Sequence, residues 1–98
     1  MIRIFIFSYA GDAAEATACV RCARMAVPCA SVTVVDDASH PVREETAEVL
    51  RSMGAEYVQS SWERHGNLRG PDCIRGMLSE MCRDAGDDDI LVKVDCDT

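Results

Sequence analysis

Along the 98 residues, four strand-like runs alternate strictly with three helical patterns, and this order constrains the fold more than any other feature. The first run, Ile2–Phe7, is apolar apart from Arg3, and the second, 31–35, is rich in β-branched residues suited to a strand. A short third run covers 55–58, and the fourth, 90–94, reads Ile-Leu-Val-Lys-Val. Between the first two, Ala16, Cys19, Val20, Ala23 and Val27 recur at helical spacing over 13–26, with Thr17, Arg21 and Arg24 on the other face. Pro28 ends that helix. A second helix opens near Pro41, which a first turn tolerates, carries Val42, Thr46, Val49, Leu50 and Met53 as its stripe, and stops at Gly54. The third opens at Pro71, points Ile74, Met77, Leu78, Met81, Cys82 and Ala85 inward, and ends at Gly86. The polar stretch 60–70 reads as a loop, and Asp87, Asp88 and Asp89 as a solvated turn.

Strands that are apolar almost throughout, separated by helices, predict a parallel sheet covered on both faces. Right-handed crossovers make this a three-layer αβα arrangement, half of a Rossmann-like doubly wound domain. The chain reads as a single domain over 1–98, with no repeat, linker or low-complexity stretch.

Composition narrows the partners. A hydrophobic share of 48% fits a packed core, and a net charge of -7 argues against nucleic acid, whose phosphates are bound by clustered Lys and Arg. A phosphate ligand is still possible where a divalent cation supplies the positive charge. The opening apolar run is too short to span a bilayer and no cleavage site follows it, so a cytoplasmic protein without a transmembrane segment is expected. In that compartment the six cysteines stay reduced. Cys19 and Cys22, with Cys29 beyond, have a zinc-ligand spacing, but the pair lies within a helical pattern and no second pair follows. Small buried hydrophobes are the expected role of the cysteines.

In an open parallel sheet, ligands bind outside the carboxyl ends of the strands, where strand order reverses. Ser8 and Tyr9 follow the first strand, Asp36 and Asp37 the second, and Asp95 and Asp97 the fourth. The loop before the third helix adds Arg64, His65, Asn67 and Arg69. Two carboxylate pairs on one edge repel unless a cation joins them, and a hard ion such as Mg²⁺ or Mn²⁺ suits oxygen ligands. In extended backbone Asp95 and Asp97 point to one side with Cys96 turned away. Each piece also has a structural role open to it: Asp-Asp after a strand often caps a turn, and His65 and Tyr9 suit an exposed loop and a rim.

The strand ending in Ser8-Tyr9, Val34-Val35-Asp36-Asp37-Ala38-Ser39, the Gly66-Asn67-Leu68-Arg69-Gly70 loop with Arg75 beyond it, and Val94-Asp95-Cys96-Asp97 together resemble the GT-A fold glycosyltransferases, especially the large family two. The resemblance implies a nucleoside-diphosphate-sugar site, often a uridine one. In it Tyr9 would pack on the base, Asp37 would bond its imide edge, and Asp36 would support that loop or reach the ribose. Asp95 would lie near the ribose or sugar or join Asp97 on the Mn²⁺ or Mg²⁺. Arg69 and Arg75 fall near basic positions that in relatives help hold the diphosphate or the donor sugar. Ala10-Gly11 departs from relatives that often carry Asn there. The resemblance places both the acceptor half and the catalytic base downstream of D-x-D, where this chain stops. The isolated chain is therefore expected to bind nucleotide weakly, to transfer nothing, and to self-associate through its exposed sheet edge or an exposed helix face. A regulatory α/β domain with an acidic metal site is the other reading. A dinucleotide-binding domain is disfavoured, since no G-x-G-x-x-G follows the first strand.

Overall fold

The computed structural model describes residues 1–8, 13–36, 41–60 and 71–95. Its elements follow in the order β1 (Ile2–Phe7), α1 (Ala13–Ala26), β2 (Ser31–Asp36), α2 (Glu44–Ser52), β3 (Ala55–Gln59), α3 (Pro71–Cys82) and β4 (Ile90–Asp95). The four strands form one parallel sheet in the order β3-β2-β1-β4.

That order dictates where the helices lie. From β1 through β2 to β3 the chain steps one way across the sheet, and from β3 to β4 it returns past the others. With right-handed crossovers the return helix must occupy the opposite face. The packing agrees. Ile4, Ile6, Val32 and Val34 meet Val20 of α1 and Leu50 of α2. Phe5, Phe7 and Val35 meet Met77 and Met81 of α3. Successive strand residues thus feed two separate cores, as the two-residue period of extended backbone requires.

Several helix details differ from the sequence expectation. Helix α2 begins at Glu44, not near Pro41, because Val42 gives its N–H to a carboxylate oxygen of Asp36 at 2.8 Å and Arg43 stays extended. Val49 is exposed while Ala47 and Leu50 are buried, so the core stripe of α2 is rotated. Helix α3 ends at Cys82, four residues before Gly86. Its buried row is Cys73, Met77 and Met81, whereas Ile74 and Leu78 are 49% and 55% exposed. A helix lying on a narrow sheet covers one row of side chains and leaves the adjacent row outside.

The cysteines also depart from expectation. Only Cys73 among the described ones is buried; Cys22, Cys29 and Cys82 are exposed and Cys19 is half-buried. Gly54 does stop α2, at φ +88, a conformation that needs no Cβ. Asp89 is more than solvated turn: it accepts the Gly86 N–H at 2.9 Å and faces the N-terminal ammonium at 3.3 Å and Arg3 at 3.8 Å. These contacts tie the start of β4 to the start of β1, where the Ile90 N–H also bonds the Met1 carbonyl at 2.9 Å. No helix among the described residues is long and apolar enough to cross a membrane.

Candidate functional site

All four strands point their carboxyl ends to one edge. Phe7 is in register with both Val35 and Asp95, and Asp36 with Gln59, so Ser8, Asp36, Ser60 and Asp95 mark one rim. Strand order reverses between β1 and β4, which makes this the rim where an open parallel sheet receives ligands. Asp36 and Asp95 end strands on either side of β1, so their backbones lie roughly 10 Å apart at about 4.8 Å per strand step.

Asp36 has no exposed surface, and neither has Ser8. The Ser8 hydroxyl donates to Oδ1 of Asp36 at 2.8 Å. On Oδ2 converge the Val42 N–H at 2.8 Å and the Tyr57 hydroxyl at 2.6 Å. The backbone joins in, with the Ser60 N–H on the Asp36 carbonyl at 2.7 Å and the Ser8 N–H on the Val35 carbonyl at 3.0 Å. A buried carboxylate is costly unless its oxygens are satisfied, and three donors among the described residues reach this one. These bonds hold the Asp36 side chain turned away from solvent. Burial first, and then the hydrogen bond in which its proton is held by Asp36, push the Tyr57 phenol up to about 12. The Arg51 guanidinium lies 5.4 Å from the centre of the Tyr57 ring.

Asp95 behaves differently. Lys93, two residues earlier on the same side of β4, places Nζ 2.7 Å from Oδ1 of Asp95 and 5.7 Å from the centre of the Phe7 ring. The two side chains are 35% and 36% exposed, so the pair meets solvent. Phe7 belongs to the core under α3, while Ser8 and Asp36 share the alternation of Ile4, Ile6, Val32 and Val34 under α1 and α2. The rim therefore carries Asp36 and Asp95 on opposite faces of the sheet, and the two carboxylates do not converge on one point. Arg75 is exposed on α3, on the same face as Asp95.

Tyr9, Asp37, Arg69 and Asp97 lie outside the described residues, as do Arg64, His65 and Asn67. Among the described residues no group of three or more His, Cys, Asp or Glu is arranged to hold a metal. Asp95 offers a partly exposed hard-oxygen ligand, which fits a Mg²⁺ or Mn²⁺ ion that takes only one or two protein carboxylates. Sequence reasoning missed Tyr57 and Lys93. The signal for Lys93 was its i, i+2 spacing from Asp95; that for Tyr57 was a hydroxyl two residues before the end of β3. An apolar groove of about 470 Å³ lies beside α1, lined by Ile4, Ile6, Cys19, Ala23, Val92 and Val94. Neither Asp36 nor Asp95 lines it.

No family model, curated protein or solved structure matches this chain. The functional reading therefore rests on the rim and on the motifs that feed it.

Proposed function

We propose that the chain is the donor-binding lobe of a metal-dependent GT-A glycosyltransferase, holding a nucleoside-diphosphate sugar of the uridine type at the carboxyl rim. The observation that supports this most is the pairing of motif with place: Asp36 and Asp95, the first acids of the Asp-Asp and D-x-D motifs in the sequence, end the strands on either side of β1, at the rim where strand order reverses. In this reading Asp36 and Ser8 form the support, and Asp37 and Tyr9 meet the base. Asp95 meets the ribose or sugar or shares the cation with Asp97. Arg69 and Arg75 add positive charge for the diphosphate. The bound Mn²⁺ or Mg²⁺ would supply Lewis-acid stabilisation to the departing nucleoside diphosphate. Lys93 holds the Asp95 carboxylate in place with its charge offset before any ligand arrives.

A transferase would also need a base to deprotonate the acceptor hydroxyl, and no residue is assigned to that role here, so what is proposed of this chain is donor binding. Its setting is taken to be the cytoplasm, and self-association through β4 is part of the same proposal. A non-catalytic α/β binding or regulatory domain is the second reading. It is favoured by Lys93 itself, which already supplies a cation to Asp95.

Titration calorimetry of the chain with UDP, with and without Mn²⁺, separates the two. Binding weaker than about 1 μM that strengthens with Mn²⁺ is expected, an affinity of roughly -8 kcal/mol or less in magnitude. Submicromolar binding or sugar turnover contradicts the expectation of weak nucleotide binding without transfer. Absence of any UDP binding removes the transferase reading.

A further inference from the structure

The three segments that leave the carboxyl rim after β1, β2 and β3 depart from Ser8, Asp36 and Ser60, and all three departure points are bonded through Asp36. A third bond reaches Val42, where the chain re-enters ahead of α2. From β3 the Tyr57 hydroxyl reaches this carboxylate at 2.6 Å, shorter than the bonds from Ser8 and Val42. Oδ2 receives Tyr57 and Val42 together, and Oδ1 receives Ser8. A carboxylate turns about one bond, so holding Oδ2 from β3 also fixes where Oδ1 meets β1.

We propose that Tyr57 is a positioning residue for this rim: through Asp36 its hydroxyl holds Ser8, just after β1, and Val42, before α2, in the arrangement that receives a nucleotide. The ligand named here rests on the donor-lobe reading; the linkage between Tyr57 and Val42 does not. The ring of Tyr57 packs on the core formed with α1 and α2 and lies beside Arg51, and a phenylalanine keeps both contacts. Tyr57→Phe therefore removes one hydrogen bond to a charged group and little else, so its effect should concentrate at the rim. Bonds of that kind are strong enough to matter locally without deciding whether the sheet folds.

Amide hydrogen exchange and UDP titration with Mn²⁺, on the 98-residue chain and its Tyr57→Phe variant, test this together. Exchange at the Val42 amide should quicken roughly tenfold and UDP affinity fall roughly tenfold, while Ile4 and Phe5 in the sheet centre change less than about twofold. Unchanged Val42 exchange overturns the proposal. So does equal acceleration throughout the sheet, which signifies general loss of stability, and so does faster Val42 exchange with unaltered UDP affinity. If the parent chain binds no UDP, the donor reading falls by itself; selective acceleration at Val42 then still supports the linkage, and its absence overturns it.

Discussion

Tyr57 and Asp36 show how a single proton can be held by a fold. The phenol loses solvent on burial and gives its hydrogen to a carboxylate, and both effects favour the neutral form in the folded state. Its folded pKa, about 12, is therefore above the ordinary value of 10.0. The sign of the linkage follows: the stability Tyr57 contributes through this shift is complete below pH 10.0 and is lost as pH rises through about 12, because the unfolded chain releases the proton first. The chain has two tyrosines, so an absorbance titration of the folded protein should show one phenolate forming late. Tyr57→Phe should remove that late component and flatten the alkaline fall in stability. A late component that survives the substitution would place the proton elsewhere.

At the level of elements, the rows of α3 make a sharp comparison. Met77 is 6% exposed in the core with Phe5 and Phe7, and Leu78 beside it is 55% exposed. Met77→Ala should cost about 2–4 kcal/mol, the range for large-to-small changes in a core, whereas Leu78→Ala should stay within about 0.5 kcal/mol in urea unfolding. Equal costs would mean that α3 sits differently on the sheet. Sequence alone could not choose between these rows, because Cys73, Ile74, Met77, Leu78 and Met81 form a continuous apolar band wider than the face a narrow sheet covers. Strand positions were legible from their β-branched runs, and β1 and α1 match their expected limits. The start of α2 was misplaced because Asp36, six residues before Val42, takes the Val42 N–H. The rim of the site was legible for the same reason the fold was, since chain order fixes which residues follow strands. The faces were not. Strands covered on both sides are apolar at odd and even positions alike, so nothing in the pattern showed that Asp36 belongs under α1 and α2 and Asp95 with the α3 side.

Across the whole molecule, β4 is the strand with an unpaired ladder edge next to uncovered apolar surface. Ile90 is 60% exposed, and Val92 and Val94 line the groove beside α1. Exposed strand edges are templates for pairing, and a two-fold axis would let β4 meet its own copy antiparallel. With that axis at Val94, Lys93 of each copy lies opposite Asp95 of the other, so the charges that close an internal pair could also select one register. The same Lys93 discourages registers that set it against itself. The net charge of -7 opposes association of two identical chains, and salt screens that repulsion over about 8–10 Å at ordinary ionic strength. Sedimentation should therefore show a dimer whose share grows with protein concentration and with added salt. Val94→Glu, which places a carboxylate against its own copy at the axis, should return the chain to monomer while leaving the Ser8–Asp36–Tyr57 cluster on the far side of β1 intact. A profile that stays monomeric at high concentration and high salt would rule out pairing through β4.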